Sequence, residues 1–311
     1  MRIRATVAAL SGALALSALA VPAAQATGGH SFDHDDVQKI AQAAREAADG
    51  KSAYTGSTGE DGEPYPLDVT FSAVKVNNGK PIVVGVSNKV TVPVTFTVTH
   101  AADVDIYASD TYMDIELYRG SYEDQANWLV GPDWPSCTDV SATKANCTST
   151  IEADPTWDFV GNEDATTWKA DGYVLDFNDQ DPLGEDIDWS QVGFAGAGDL
   201  ATTKLQRYSK LTVNAAPEPV KKGKTVTVTG KLSRANWDDF AYHGYTGQSV
   251  KLQFRKKSSS TYTTIKTIKS DSTGNLKTTT TATVDGYFRY SFAGTATTPA
   301  VNAAGDYVDV Q

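Results

Sequence analysis

The segment KVTVPVTFTVTH, Lys89 to His100, puts Val90, Val92, Val94, Phe96 and Val98 on one side. Thr91, Pro93, Thr95, Thr97 and Thr99 fall on the other. Helical apolar positions recur every three or four residues, so a strict period of two describes a strand with one face in a core. The same device recurs along the chain. LDVTFSAVKV keeps Leu67, Val69 and Phe71 in phase and slips near Ala73. TVTVTGKL carries Val226, Val228 and Leu232, QSVKLQFRK carries Val250, Leu252 and Phe254, and GYFRYSF carries Phe288, Tyr290 and Phe292. Turn formers punctuate these runs: NNGK from Asn77, KKGK from Lys221, DSTGN from Asp271 and VDGY from Val284. Short strands rich in Thr and Val at this spacing predict an all-β chain of antiparallel sandwiches of the immunoglobulin kind. Pro93 has no N–H to give a ladder, which predicts an edge strand or a bulge there.

The first residues predict export. Arg2 and Arg4 precede an apolar, small-residue stretch that ends in Ala24, Gln25 and Ala26, the pattern of a signal peptide cleaved after Ala26. That run is short of a bilayer span and no later one is longer, so no membrane span is expected in the mature chain. Residues 27–64 read as a short helix and a flexible linker. Val37, Ile40, Ala41, Ala44 and Ala48 have helical spacing, Gly50 suits the end, and TGSTGEDGEPYP follows. The remainder suits two domains. Thr27–Gln206 holds 31 acidic and 10 basic residues, whereas Arg207–Gln311 holds 7 acidic and 15 basic. The expected division is therefore an acidic sandwich at 65–206 and a basic immunoglobulin-like one at 207–311. The two cysteines, Cys137 and Cys147 in CTDVSATKANC, fit neither a CxxC motif nor a zinc knuckle. In an exported chain they are expected to form a disulfide.

The segments VNAAPEPVKKGKTVTVTGKLSRANWDD, VKLQFRKKSSSTYTTIKTIKSDSTGNLKTT and TATVDGYFRYSFAGTATTPAVNAAGDYVDV resemble the C-terminal half of a family of secreted two-domain β-sandwich proteins of filamentous soil bacteria. The leader MRIRATVAALSGALALSALAVPAAQA is similar to theirs as well. The likeness covers the back domain and the leader, and the acidic region only loosely. It implies export and an immunoglobulin-like C-terminal module. Members are often described as calcium-binding, without a defined site, so the resemblance also implies calcium as a ligand.

Three stretches carry candidate function. DFNDQDPLGEDID holds Asp176, Asn178, Asp179, Asp181, Glu185, Asp186 and Asp188 with no Lys or Arg. Such crowding describes either a calcium loop, where six to eight oxygens surround the ion, or a solvated acidic loop. EF-hand spacing fails: from Asp176 the glycine position falls on Asp181 and the twelfth on Ile187. NWDDFAYHGYTG groups Trp237, Phe240, Tyr242 and Tyr245, which either stack on sugar rings or fold back to close the end of a sandwich. The basic clusters KKGK and Arg255–Lys257 suit a cell-wall polyanion or plain solvation. Without a recognition helix or interleaved aromatics they do not suit sequence-specific nucleic-acid binding. The histidines are His30, His34, His100 and His243, and no GxSxG, HExxH, P-loop or GxGxxG motif is present. The chain thus reads as a secreted, non-enzymatic binding or structural module with calcium as its candidate ligand. The alternative is a glycan or cell-wall adhesion module using the loop around Trp237.

Overall fold

The computed structural model describes Val37, Ile40, Ala41 and Arg45, then residues 64–156, 160–182 and 187–311. The export signal, most of the expected N-terminal helix and nearly all of the linker lie outside the described residues, as do Glu185 and Asp186. From residue 64 onward the regular structure is strand, interrupted by three 3-10 turns. The protein is an all-β sandwich protein with two hydrophobic cores.

The front core lies between two sheets. One carries β1 (Tyr65–Pro66), β10 (Gly193–Arg207), β9 (Thr167–Asp176), β5 (Thr111–Gly120) and β6 (Gln125–Leu129) in that order, with β3 (Ile82–Val84) also on β10. The other runs β2 (Val69–Val76), β4 (Val90–His100), β8 (Lys144–Ala153), β7 (Ser136–Ser141). The alternation read from the sequence is the inward face of β4: Val92, Val94, Phe96 and Val98 are buried among Ile115, Leu117, Ile151 and Trp168. The phase slip at Ala73 is a bulge, where Ala73 takes φ of 53° and the pairing with β4 shifts between Ser72 and Lys75. Such an extra residue re-aims the strand without losing the sheet. Pro93 corrects an expectation, since β4 is an interior strand. It is tolerated because β2 leaves the ladder at Val94, so beyond that point β4 is paired only to β8.

Cys137 and Cys147 stand directly opposite each other on β7 and β8 and are joined by a disulfide, with Cα atoms 4.1 Å apart. It pins the edge strand β7, whose residues are otherwise mostly exposed. Reduction should cost the front core about 2–3 kcal/mol in the chain-entropy view. Hydrogen exchange with and without reductant should show the amides of β7 and β8 loosening and those of the back core unchanged, and equal loosening in both would contradict this placement.

The back core is built round β13 (Thr225–Asn236). Its one edge takes β12 (Asn214–Ala216) and β11 (Ser209–Leu211), and its other takes β17 (Asn275–Thr281) and β14 (Ala241–Gly244). The facing sheet runs β16 (Thr263–Lys269), β15 (Ser249–Lys256), β18 (Gly286–Phe292), with β19 (Val301–Asn302) and β20 (Asp306–Val308) on the far side of β18. Val226, Val228, Leu232, Val250, Leu252, Phe288, Tyr290 and Phe292 fill the space between, each in the phase that its alternation gave. The turn glycines fall where positive φ is needed: Gly223 and Gly274 both sit at 83°. At the second, Asp271 accepts the N–H groups of Thr273 and Asn275, both at 2.8 Å. No helix among the described residues is long and apolar enough to cross a membrane.

Candidate functional site

The described parts of the acidic stretch, residues 176–182 and 187–188, fold as turns. Asn178 and Asp179 both take positive φ, and the acidic and amide side chains fold onto the backbone around them. Asp176 Oδ1 accepts the Asn178 N–H at 3.1 Å, and Asp110 Oδ2 accepts that of Asp179 at 2.6 Å. Asp188 caps the turn Trp189–Gln191 by accepting the Ser190 N–H at 3.1 Å and its hydroxyl at 2.6 Å. Gln180 bridges back, donating to the Asp188 carbonyl at 3.1 Å while its Oε1 accepts the Asp188 N–H at 2.8 Å. Asn178 Nδ2 reaches the Gln191 carbonyl at 2.7 Å and the Tyr65 hydroxyl at 2.8 Å. Among the described residues no group of three or more His, Cys, Asp or Glu side chains is placed to hold a metal ion. Asp181 lies on the exposed side of this turn, and Asp176, Asp179 and Asp188 do not converge on one point with it. No three of these carboxylates converge, so the described residues offer no cage of six to eight oxygens. Calcium and magnesium at about 5 mM each, well above the weak affinities of extracellular modules, should therefore raise the unfolding midpoint equally, by screening the acidic front. A larger calcium shift that Asp179→Asn with Asp181→Asn abolishes would identify this stretch as a calcium loop.

The aromatic loop is divided between burial and exposure. Trp237 is 1 % exposed, and its indole N–H donates to the Gly85 carbonyl at 2.8 Å. It belongs to the front core although it follows β13 of the back sandwich. Tyr242 packs beside it under the Lys210 ammonium, 3.5 Å from the ring centre. Tyr245 lies against Phe292 with the Arg234 guanidinium 4.0 Å over its face. Only Phe240, at a positive φ of 57°, is largely presented outward. Trp237 is therefore not part of an exposed sugar platform. It closes the end of the front sandwich, because so large a ring gains most from burial.

Around Trp237 the two cores lock together. Asn162, in a 3-10 turn between β8 and β9, takes Asn236, Trp237 and Asp238 of the back sandwich as partners, together with Arg207 at the end of β10. Its Oδ1 accepts the Trp237 N–H at 3.1 Å and a bond from Arg207 Nη1. Its Nδ2 donates to Asp238 Oδ2 at 2.5 Å and to Asn236, and its own N–H donates to Asp238 Oδ1 at 3.1 Å. Burial and the neighbouring Arg234 charge bring the Arg207 guanidinium down to about 10. The chain passes between the sandwiches with only Tyr208 between β10 and β11, and the Tyr208 N–H donates to the Val84 carbonyl at 2.8 Å. Nothing in the sequence around Asn162 marks it, since its partners are 45 to 76 positions away.

Exposed aromatics gather elsewhere. A groove of about 580 Å³ is lined by Ile106, Tyr107, Tyr112, Met113 and Trp134, beside the disulfide. Tyr107 and Trp134 are among the most exposed large apolar side chains of the described residues. The Tyr112 and Trp134 rings meet at 5.3 Å, and the Tyr107 hydroxyl donates to Asp139 at 2.5 Å. That bond, with the adjoining carboxylate charge, pushes the phenol up to about 12.

No family model matches the chain, and no curated protein matches it. Comparison with solved structures gives sandwich proteins at low similarity. An I-band fragment of titin is 11 % identical with a TM-score of 0.29, over 78 % of this chain and 65 % of that one. The N-terminal four Ig domains of Dscam1 are 12 % identical at 0.24, over 75 % and 43 %. The BSP domain of a biofilm associated protein is 8 % identical at 0.24, over 89 % and 55 %. The chain thus spans less than two thirds of each of these chains, and the fold assignment rests on the sheet topology rather than on them.

Proposed function

We propose that this protein works outside the cell as a rigid, non-enzymatic binding or structural module, an acidic sandwich fixed end to end with an immunoglobulin-like one. The observation that carries this reading is the joint. Trp237 of the back sandwich is buried in the front core, and Asn162 of the front is bonded to Asn236, Trp237 and Asp238 of the back. Two sandwiches that share a buried tryptophan and a hydrogen-bond cluster hold one angle, which suits a spacer or a presenting scaffold. Interfaces that are merely docked allow relative motion. A disulfide on an edge strand and an export-type leader agree with an oxidising, extracellular setting. Small-angle scattering of the mature chain should fit one rigid shape, and Asn162→Ala combined with Trp237→Phe should broaden it. A native profile that requires independently moving sandwiches would end this reading.

The groove at Tyr107 and Trp134 favours a second reading, adhesion to a glycan or wall polymer by ring stacking, displaced from the Trp237 loop to the disulfide end. Exposed Tyr and Trp rings offer an apolar face with a polar edge, as sugar rings require. If so, Trp134→Ala should weaken binding to immobilised wall glycans about tenfold, corresponding to about 1.4 kcal/mol of stacking, with the midpoint within a few degrees of the parent. Binding that is unaffected by Trp134→Ala would exclude the groove.

A further inference from the structure

Strand β5 reads TYMDIELYRG, and its apolar residues Met113, Ile115 and Leu117 face the front core. The alternate positions, Asp114, Glu116 and Tyr118, should then face water. They do not: Asp114 and Glu116 are fully buried, as are Asp171 and Tyr173 opposite them on β9. The cover includes Arg45, which has helical backbone and lies buried. Glu116 and Asp171 are direct cross-strand partners, an arrangement of like charges that is unfavourable unless a cation bridges them. Arg45 supplies it. Its Nη2 lies 2.9 Å from Asp171 Oδ2 and 3.6 Å from Glu116 Oε2, and the three side chains are at most 2 % exposed. The guanidinium carbon sits 5.3 Å from the Tyr122 ring centre and 5.8 Å from that of Tyr173. Gln125 Nε2 holds Asp171 Oδ2 from the side at 2.9 Å. Among the described residues, Arg45 Nε and Nη1 and both Glu116 carboxylate oxygens are buried and meet no well-aligned hydrogen-bond partner, with the Tyr122 and Tyr173 hydroxyls beside them.

We propose that this outer face is an arginine-recognition site, in which Glu116, Asp171, Tyr122 and Tyr173 cage a guanidinium, and that Arg45 is a resident ligand which other guanidinium-bearing ligands can replace. The chemistry selects that class. Two carboxylates on adjacent strands match a planar fork, and two aromatic rings favour a weakly hydrated, delocalised cation over a compact ammonium. The poor alignment of the hydrogen bonds leaves the Arg45 contact short of a fully bonded ion pair, which makes it replaceable. The site is also proton-linked. Burial raises Asp114, Glu116 and Asp171 above the usual carboxylate range, and Arg45 holds Glu116 and Asp171 down. Tyr122 and Tyr173 are pushed up, and Gln125 is neutral. Without the guanidinium the carboxyls gain protons, so a falling pH favours the empty cage.

The test is Arg45→Ala in the full mature chain, followed by thermal unfolding with methylguanidinium up to about 10 mM. That is far below the molar range in which guanidinium denatures. We expect a lowered midpoint that methylguanidinium restores by several degrees and saturably, while methylammonium and sodium do not. The parent protein should show no such shift, and Arg45→Lys should not recover the parent midpoint. Rescue should weaken between pH 8 and pH 5, by the linkage just given. Absence of rescue, equal rescue by methylammonium, a full-strength Arg45→Lys or rescue that strengthens in acid would each overturn the proposal. If Arg45→Ala does not fold unaided, refolding with methylguanidinium replaces the melt: recovery with it alone supports the cage, and failure with both amines overturns it.

Discussion

Trp237→Ala is expected to lower stability by about 3–5 kcal/mol, the usual cost of emptying a large aromatic site in a packed core. The loss should not be confined to one sandwich. The ring fills the end of the front core, its backbone N–H binds Asn162, and its indole binds the Gly85 carbonyl. Removing it opens a cavity in front and unties the back. A single unfolding transition should therefore split into two, with the front one at lower temperature. Trp237→Phe keeps the apolar volume but not the bond to Gly85, and should cost about half as much. Calorimetry reads both effects, and one unsplit transition at the parent midpoint in Trp237→Ala would show that the ring is not a shared core residue.

A comparable loss is expected from Asp164→Ala. Its buried carboxylate accepts Arg119 Nε at 2.6 Å, the Gly161 N–H at 2.7 Å and Asn127 Nδ2 at 3.1 Å. Its carbonyl also accepts the Trp168 indole N–H at 2.7 Å. Hydrogen bonds to a charged group contribute about 1.5–3 kcal/mol each, and losing several leaves Arg119 without its anion, so about 3 kcal/mol is a conservative expectation. Asp164 shapes the turn that carries Asn162, so the variant should also loosen the joint. Chemical denaturation gives the first effect, and hydrogen exchange at the Trp237 and Asp238 amides gives the second. A variant with parent-like exchange at those amides would separate the carboxylate from the joint.

What the sequence made legible was what depends on neighbours a few residues apart. The inward faces of β4, β13, β15 and β18 follow from period-two alternation, and the bulge at Ala73 shows as a slip in that phase. The Cys137–Cys147 pair lies across one hairpin, so composition and spacing sufficed. Pairings over long separations left no such mark. Nothing local to MDIEL in β5 says that Arg45, some seventy positions earlier, covers its acidic side. Trp237 looked like a loop aromatic because its pocket is made by Gly85 and the front core. The acidic stretch was legible in composition but not in role. Whether Asp176 and Asp188 face a cation or a backbone N–H depends on the positive φ angles at Asn178 and Asp179, which composition does not determine.

The single residue between β10 and β11 has a consequence for how such a chain can be rearranged by recombination. Most multidomain proteins tolerate cutting at a linker, because few contacts cross it. Here a cut at Tyr208 would sever the Tyr208–Val84 bond and bare Trp237 on one fragment. On the other it would leave Asn162 without the partners it has across the joint. Neither sandwich is a portable cassette. A graft that moves the basic half to a new scaffold would have to bring the Gly161–Asp164 turn and Gly85 with it, so the smallest exchangeable piece is the pair.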